Sequence, residues 1–145
     1  MTADECIARA AIADTLAICG QAGDARKTEA YVACFAKDGV LDLGDDGKIV
    51  GREALRAWMN APSAFPQPDG APPGFVSHHL TTCRITLTSD TTATARTYWM
   101  VTTAIGLDHN GYYDDFFAKD GELWLLTYRR IRTLWKSPQS VTHKR

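Results

Sequence analysis

Residues 92–105 read TATARTYWMVTTAI, and residues 122–135 read ELWLLTYRRIRTLW. Both segments are rich in Thr, Val, Ile, Tyr and Trp, the residue types that β-strands favour. A third segment of this kind covers residues 75–87, and a shorter one covers residues 112–118. The second half of the chain is therefore predicted to contain four consecutive strands.

Turn sequences separate these four predicted strands. They are Ser89-Asp90, Asp108-His109-Asn110-Gly111 and Lys119-Asp120-Gly121. Three close reversals in a row predict an antiparallel meander, because neighbouring parallel strands need long crossover connections.

The first half of the chain has helical patterns. Thr2 and Glu5 have the spacing of a capping box, and the apolar stripe that follows predicts a first helix that Gly20 and Gly23 interrupt. A second helix is predicted over residues 27–36. Two short strands are predicted at residues 40–43 and 49–50, and a brief helix at residues 51–59.

Helices that precede a bent meander predict an α+β fold, in which a strongly curved antiparallel sheet wraps around the N-terminal helices and encloses a conical cavity. We expect one domain over residues 1–136 and a loose polar tail over residues 137–145. The Pro-rich residues 60–74 cannot continue a helix, and we expect them to form a loop that covers the cavity as a lid.

Composition excludes several classes of function. Sixteen Lys and Arg against seventeen Asp and Glu give a formal net charge of -1, so the chain has no positive field for nucleic acid or an anionic membrane surface. No apolar run approaches the ~20 residues of a membrane span, and we expect a cytoplasmic protein. The four Cys form no CxxC pair, and we expect neither a metal site nor a cofactor.

Two residues are candidates for acid–base chemistry. Asp24 follows the first helix, where it either caps the second helix or belongs to a site. His78 and His79 begin the first long strand, and alternation allows only one of the two imidazoles to face the cavity. A lone strand histidine is more often a structural residue than a catalyst.

A third candidate is Arg129 in the last predicted strand. Alternation sends Arg129 and Arg130 to opposite faces, so one guanidinium lies on the apolar inner side and needs an anion. That anion is either an acid of the protein, such as Asp42 or Asp115, or the substrate.

Several short motifs occur in a defined order. They are Gly23-Asp24, Phe35-Ala36-Lys37-Asp38-Gly39, Gly51-Arg52-Glu53-Ala54-Leu55, His78-His79-Leu80-Thr81, Gly111-x-Tyr113-x-Asp115-x-Phe117, and Trp124 with Arg129 five residues later. Their order and spacing resemble the polyketide-cyclase-like (SnoaL-like) branch of the nuclear-transport-factor-2-like superfamily. Its lyase-like members include a dehydrochlorinase of a chlorinated cyclohexane and bacterial bile-acid dehydratases. The resemblance implies that Asp24 orients His78 and that Arg129 lies in the cavity.

The leading hypothesis is a cofactor-independent lyase or isomerase of a small hydrophobic, cyclic molecule. His78 would be the general base, Asp24 would hold its ring, and Arg129 would stabilise the anion that forms. The residues expected to bind the substrate are Tyr31, Phe35, Trp58, Phe65, Met100 and Tyr113. The alternative is a module of the same fold that binds a small ligand or dimerises without catalysis, and either form is expected to be a homodimer or homotrimer.

Overall fold

The computed structural model of the chain describes residues 1–62, 75–140 and 142. Within these ranges the chain forms three α-helices, a short 3-10 turn and six β-strands. The helices are α1 (Ala3–Asp24), α2 (Thr28–Ala33) and α3 (Arg52–Asn60), and the turn is Gly44–Asp46. The strands are β1 (Phe35–Asp42), β2 (Lys48–Val50), β3 (Ser77–Leu87), β4 (Thr92–Thr103), β5 (Gly106–Asp120) and β6 (Leu123–Lys136). None of these three helices is both long and apolar enough to cross a membrane.

The six strands form one sheet in the order β2-β1-β6-β5-β4-β3. Each pair from β3 to β6 is antiparallel, which confirms the predicted meander. β1 runs antiparallel to β2 and parallel to β6, and this parallel pair was not predicted. Register shifts within the meander add local twist and bend. The predicted α+β class with a curved sheet is confirmed.

Helix α1 begins as the sequence predicts and ends later. Thr2 and Glu5 form the capping box: the Glu5 N–H donates to Thr2 Oγ1 at 3.2 Å, and the Thr2 N–H donates to Glu5 Oε2 at 2.7 Å. The predicted interruption at Gly20 and Gly23 is wrong, because both glycines lie inside the helix and Asp24 is its last residue. This extension places the Asp24 carboxylate beside the sheet.

The apolar stripe of α1 packs into the main core. Ile12 and Leu16 are buried there together with strand residues such as Phe117. Full burial of a large apolar side chain contributes about 1.5–3 kcal/mol to stability. Thr15 Oγ1 also donates to the Trp124 carbonyl at 2.8 Å, which fixes α1 against β6.

The second helix ends earlier than the prediction of residues 27–36. It stops at Ala33, and β1 begins two residues later. The Leu126 N–H of β6 donates to the Cys34 carbonyl at 2.9 Å, so pairing with β6 outweighs the local helical pattern. Gly39 permits this approach, because a Cβ there would lie 2.8 Å from the Leu126 carbonyl oxygen.

The predicted turn at residues 108–111 is also wrong, because these residues lie within β5. The chain reverses earlier, at residues 104–105. Gly111 is required by close packing: a Cβ there would lie 1.9 Å from the Arg132 carbonyl oxygen and 2.7 Å from the Trp99 ring. The glycine thus marks a close approach of strands, and His109 becomes a strand residue.

The first part of the predicted loose tail is attached to the domain. The Ser137 N–H donates to the Asp108 carbonyl at 2.8 Å, and Ser140 Oγ lies 2.5 Å from an oxygen of the Asp108 carboxylate. Ser137 and Ser140 therefore lie against β5.

Candidate active site

A cavity of about 460 Å³ lies between the helices and one face of the sheet. Its wall includes residues of all three helices and of strands β3 to β6. Those that bear on the chemistry are Cys19, Asp24, Tyr31, Trp58, His78, Trp99, His109, Tyr113, Arg129 and Thr142. The predicted cavity is therefore present, and it holds aromatic rings together with a few polar groups.

A larger groove of about 760 Å³ lies on the other face of the sheet. Arg84, Arg96, Phe116 and Tyr128 are among the residues that line it. In the part of the chain that the structure describes, no histidine lines this groove. The acid–base groups are in the smaller cavity, so we place the candidate site there.

Asp24 and His78 meet in this cavity. His78 Nδ1 lies 2.5 Å from Asp24 Oδ1, and the backbone N–H of His78 donates to Asp24 Oδ2 at 2.8 Å. A carboxylate only accepts hydrogen bonds, so Nδ1 is assigned the proton and Nε2 carries the lone pair. The carboxylate thus contacts both the ring and the backbone N–H of one histidine, and the structure brings these two predicted site residues together.

The structure excludes one alternative for Asp24 and shows which of the two adjacent histidines faces inward. The N-cap residue of α2 is Lys27, which has no side-chain capping bond, so Asp24 is not a helix cap. His79 is exposed on the other face, where its Nε2 lies 3.1 Å from Thr102 Oγ1. His78 is therefore the histidine of this adjacent pair that lines the cavity.

Arg129 is buried and paired with an acid of the protein. Its Nε and Nη2 donate to the two Asp115 oxygens, each at 2.8 Å, and Nη1 donates to Cys19 Sγ at 3.4 Å. The guanidinium also lies 4.1 Å from the centre of the Tyr113 ring. Burial is the largest single effect and lowers the pKa of Arg129, but the charge and hydrogen bonds of Asp115, together with Cys19 and Tyr113, outweigh it and raise the pKa above its ordinary value. Arg129 is thus a cation with a structural partner and an edge on the cavity.

Five of the six predicted substrate-binding residues lie in the described part of the chain, and three of these five line the cavity. Tyr31, Trp58 and Tyr113 line it, and the Tyr31 and Trp58 rings are 6.2 Å apart. Met100 is 39% exposed on the opposite face, because Trp99 takes the inward position. Its predicted place in the wall is wrong.

Phe35, another predicted binding residue, does not line the cavity. Phe35 is fully buried in the core, with its ring 5.5 Å from the Tyr31 ring. It lies behind the cavity wall, so its predicted contact with substrate is wrong. Phe65 and nearly all of the predicted Pro-rich lid lie outside the described residues.

A second imidazole, which the sequence reasoning missed, also lines the cavity. His109 Nδ1 lies 2.7 Å from Oδ1 of the fully buried Asp108. The Trp99 ring lies between the two imidazoles, with centroids 5.5 Å from His109 and 6.5 Å from His78. Burial lowers the pKa of His109, and Asp108 opposes this shift only in part.

One feature of the sequence could have revealed His109. In a strand, it shares its face with Gly111, Tyr113 and Asp115, which lie at intervals of two residues. The Asp-His-Asn-Gly sequence is typical of turns, and that local interpretation hid the alternation.

Comparison with known proteins agrees with this architecture. The family model described as "SnoaL-like domain" matches residues 4–130. The chain belongs to the SnoaL-like family. The matched range includes Asp24, His78, His109 and Arg129, so the candidate site lies within the SnoaL-like domain. No curated protein matches the sequence significantly.

Solved structures show the same fold at low identity. A candidate scytalone dehydratase from Novosphingobium aromaticivorans has 21% identity and a TM-score of 0.83, over 100% of this chain and 94% of its own. The hexachlorocyclohexane dehydrochlorinase LinA-type3 from Novosphingobium barchaimii has 16% identity and a TM-score of 0.78, over 97% and 95%. ActVI-ORFA from Streptomyces coelicolor has 19% identity and a TM-score of 0.73, over 87% and 96%.

Proposed function

We propose that this protein is a cofactor-independent lyase or isomerase that acts on a small, hydrophobic, cyclic molecule. The observation that carries the proposal is the hydrogen-bonded pair of Asp24 and His78 in the wall of an aromatic cavity. Neighbours named as a dehydratase and a dehydrochlorinase support the same class of reaction.

His78 is the general base of the proposed reaction. Its Nε2 takes a proton from a substrate carbon, and Asp24 stabilises the imidazolium that forms. In an elimination, the electron pair of the broken C–H bond forms the new double bond, and the leaving group departs with its own bonding pair. In an isomerisation, the proton returns to another carbon. Neither reaction requires a nucleophilic side chain.

The cavity wall supplies binding and orientation. A volume of about 460 Å³ is within the range of pockets for small organic molecules. Tyr31, Trp58 and Trp99 provide aromatic surface for a ring of the substrate. His109 is on the same wall, where its Nδ1 lies 2.7 Å from Asp108 Oδ1.

Negative charge that develops on the substrate needs stabilisation. Burial raises the pKa of Tyr113 and of Tyr31, so both hydroxyls stay protonated and can act as donors. Arg129 contributes its field at the cavity edge, although Asp115 neutralises most of its charge. We therefore propose that tyrosine hydroxyls and Arg129 together stabilise the anionic form.

The test compares two adjacent histidines. Wild-type protein is incubated with scytalone, with hexachlorocyclohexane and with a panel of cyclic β-hydroxy ketones, and products are followed by chromatography and chloride release. His78→Gln is expected to lower kcat by about 10²- to 10⁴-fold, because the base is removed. The matched control His79→Gln, one residue away on the exposed face, is expected to keep wild-type kcat.

Two results would count against this function. Full activity in His78→Gln would exclude it as the base. Saturable binding of panel compounds without any turnover by the wild type would favour the ligand-binding alternative. The variant Asp24→Asn adds a second check. In the observed geometry, an Asn side chain cannot accept hydrogen bonds from both the ring and the backbone N–H of His78. We therefore expect kcat to fall by about 10²-fold.

A further inference from the structure

The outer face of the sheet carries a row of charged side chains. Arg84 of β3 lies directly opposite Arg96 of β4. Arg96 lies opposite Asp114 of β5, and Asp114 lies opposite Arg130 of β6. All four residues line the groove of about 760 Å³ on this face. The row therefore places three guanidinium groups beside one carboxylate.

The carboxylates near this row are already paired. Asp114 accepts from Arg96 Nε at 2.7 Å and from Arg96 Nη2 at 2.9 Å. Asp42 accepts from Arg130 Nε at 3.2 Å. Asp115 is buried, and its carboxylate pairs with an arginine on the inner face. These acids therefore leave one arginine of the row without a counter-charge.

That arginine is Arg84, which is exposed. Within the ranges that the structure describes, it makes no ion pair. Its direct cross-strand neighbour is Arg96, and like charges in this position destabilise a sheet. An anion bound beside Arg84 would relieve this repulsion, and the planar guanidinium fork matches a carboxylate in particular.

A second row lies next to the charged row, two residues along each strand. It consists of Thr86, Thr94, Phe116 and Tyr128, which are in register across the four strands and all line the groove. Phe116 is 50% exposed, and its ring centre is 6.1 Å from that of Tyr128. Since a strand rises about 3.3 Å per residue, the two rows are about 7 Å apart. A carboxylate on the first row therefore places an attached ring over the second row.

We propose that the outer groove binds a small aromatic molecule that carries one carboxylate. Arg84 binds the carboxylate, and Phe116 and Tyr128 contact the ring. A volume of about 760 Å³ is within the range of sites for small organic ligands. This groove is on the face of the sheet opposite the Asp24 cavity, so the inference does not depend on the proposed function.

Charge distinguishes this ligand from other occupants of the groove. The three arginines of the row face the carboxylates of Asp114 and Asp42, so one guanidinium is in excess and a monoanion balances it. A second copy of the chain, docked on this face about a two-fold axis, would bring the same excess of arginine to the same surface. Repulsion between like charges disfavours that arrangement.

The test uses the full-length protein and cinnamate, an aromatic carboxylate, and follows the backbone amides by NMR. The amides of Arg84, Arg96 and Phe116 are expected to shift along one saturable curve. Arg84→Gln is expected to weaken binding about 10-fold or more, because a charge-assisted hydrogen bond is lost. Lys119→Gln removes one positive charge from an exposed position of β5 outside the groove, and it is expected to keep the wild-type affinity.

Two further comparisons separate the carboxylate from the ring. Cinnamyl alcohol has the same ring without the charge, and its affinity is expected to be about 10-fold lower than that of cinnamate. Phe116→Ala is expected to weaken cinnamate binding about 5-fold, because an exposed aromatic contact is lost. Should Arg84→Gln not fold, Arg84→Lys, which keeps the charge and loses the planar fork, is expected to weaken binding about 5-fold.

Several results would overturn the proposal. They are the absence of saturable binding, shifts confined to cavity residues such as His78 and Trp99, equal weakening in Arg84→Gln and Lys119→Gln, and equal affinity for cinnamate and cinnamyl alcohol. Sedimentation of the wild type without ligand tests the remaining occupant. A dimer that Phe116→Ala dissociates would show that a second copy covers this face, and it would overturn the proposal as well.

Discussion

The two faces of the sheet carry the same residue types in adjacent positions, but in different environments. His78 lines the cavity, whereas His79 is exposed. Arg129 is buried and donates to both oxygens of the Asp115 carboxylate, whereas the Arg130 side chain is 43% exposed. The comparison teaches that strand alternation, and not residue type, decides which histidine or arginine can contact a ligand.

The same contrast extends to packing. Phe117 is 2% exposed and belongs to the core, while its neighbour Phe116 is 50% exposed and lines the outer groove. Asp115 is paired inside with Arg129, and Asp114 is paired outside with Arg96. Each adjacent pair therefore offers a matched experiment, in which one change is made on each face.

The largest expected effect concerns the two phenylalanines. Phe117→Ala should lower the free energy of unfolding by about 3–5 kcal/mol, because it removes buried area and leaves a cavity in the core. Phe116→Ala, on the outer face, should cost less than about 1 kcal/mol. Urea denaturation measures both values. If both variants lose a similar amount of free energy of unfolding, the outer groove must be packed against another molecule in solution.

The next effect concerns the two arginines. Arg129→Met should destabilise the protein by about 3 kcal/mol or more, because it leaves Asp115 as a buried unpaired charge. Arg130→Met breaks a partly exposed pair with Asp42 and should cost less than about 1 kcal/mol. The same denaturation experiment applies. Recovery of stability in the double variant Arg129→Met with Asp115→Leu would show that the unpaired charge, and not lost packing, causes the defect.

The smallest expected effect concerns pH. Burial lowers the pKa of His109 in the folded protein, so the unfolded chain binds its proton more readily. The stabilising contribution is therefore complete above the usual histidine pKa of about 6.5 and is lost as the pH falls through the lower folded value. His109→Gln should reduce the loss of stability on acidification through this range, measured by thermal melts at several pH values. An identical pH dependence in this variant would contradict the lowered value.

Much of the fold was predictable because local patterns and long-range packing agree. The capping box at Thr2, the turn at residues 119–121 and the alternation within β4 all lead to the observed elements. The prediction failed where a distant strand outweighs local sequence. Pairing of Cys34 with Leu126 ends α2, and close contact with β6 keeps Gly111 in a strand.

The site was predictable to the extent that it depends on alternation. Strand alternation predicts that one of His78 and His79 faces inward. The contact with Asp24, however, depends on helix α1 continuing beyond Gly20 and Gly23. The prediction placed Met100 in the cavity wall, but its neighbour Trp99 occupies the inward position. Two adjacent strand residues cannot both face inward, so Met100 lies on the opposite face. His109 was missed because its turn-like sequence was interpreted locally.

The parallel contact between β1 and β6 has a consequence for the synthesis of the chain. Tyr128 donates to Asp42, a partner 86 residues earlier, and Leu126 donates to Cys34. While the ribosome is still translating the meander, β1 has only the short β2 as a partner, and such a two-stranded unit is barely stable alone. β1 can therefore join the rest of the sheet only after the codons for β6 have been read.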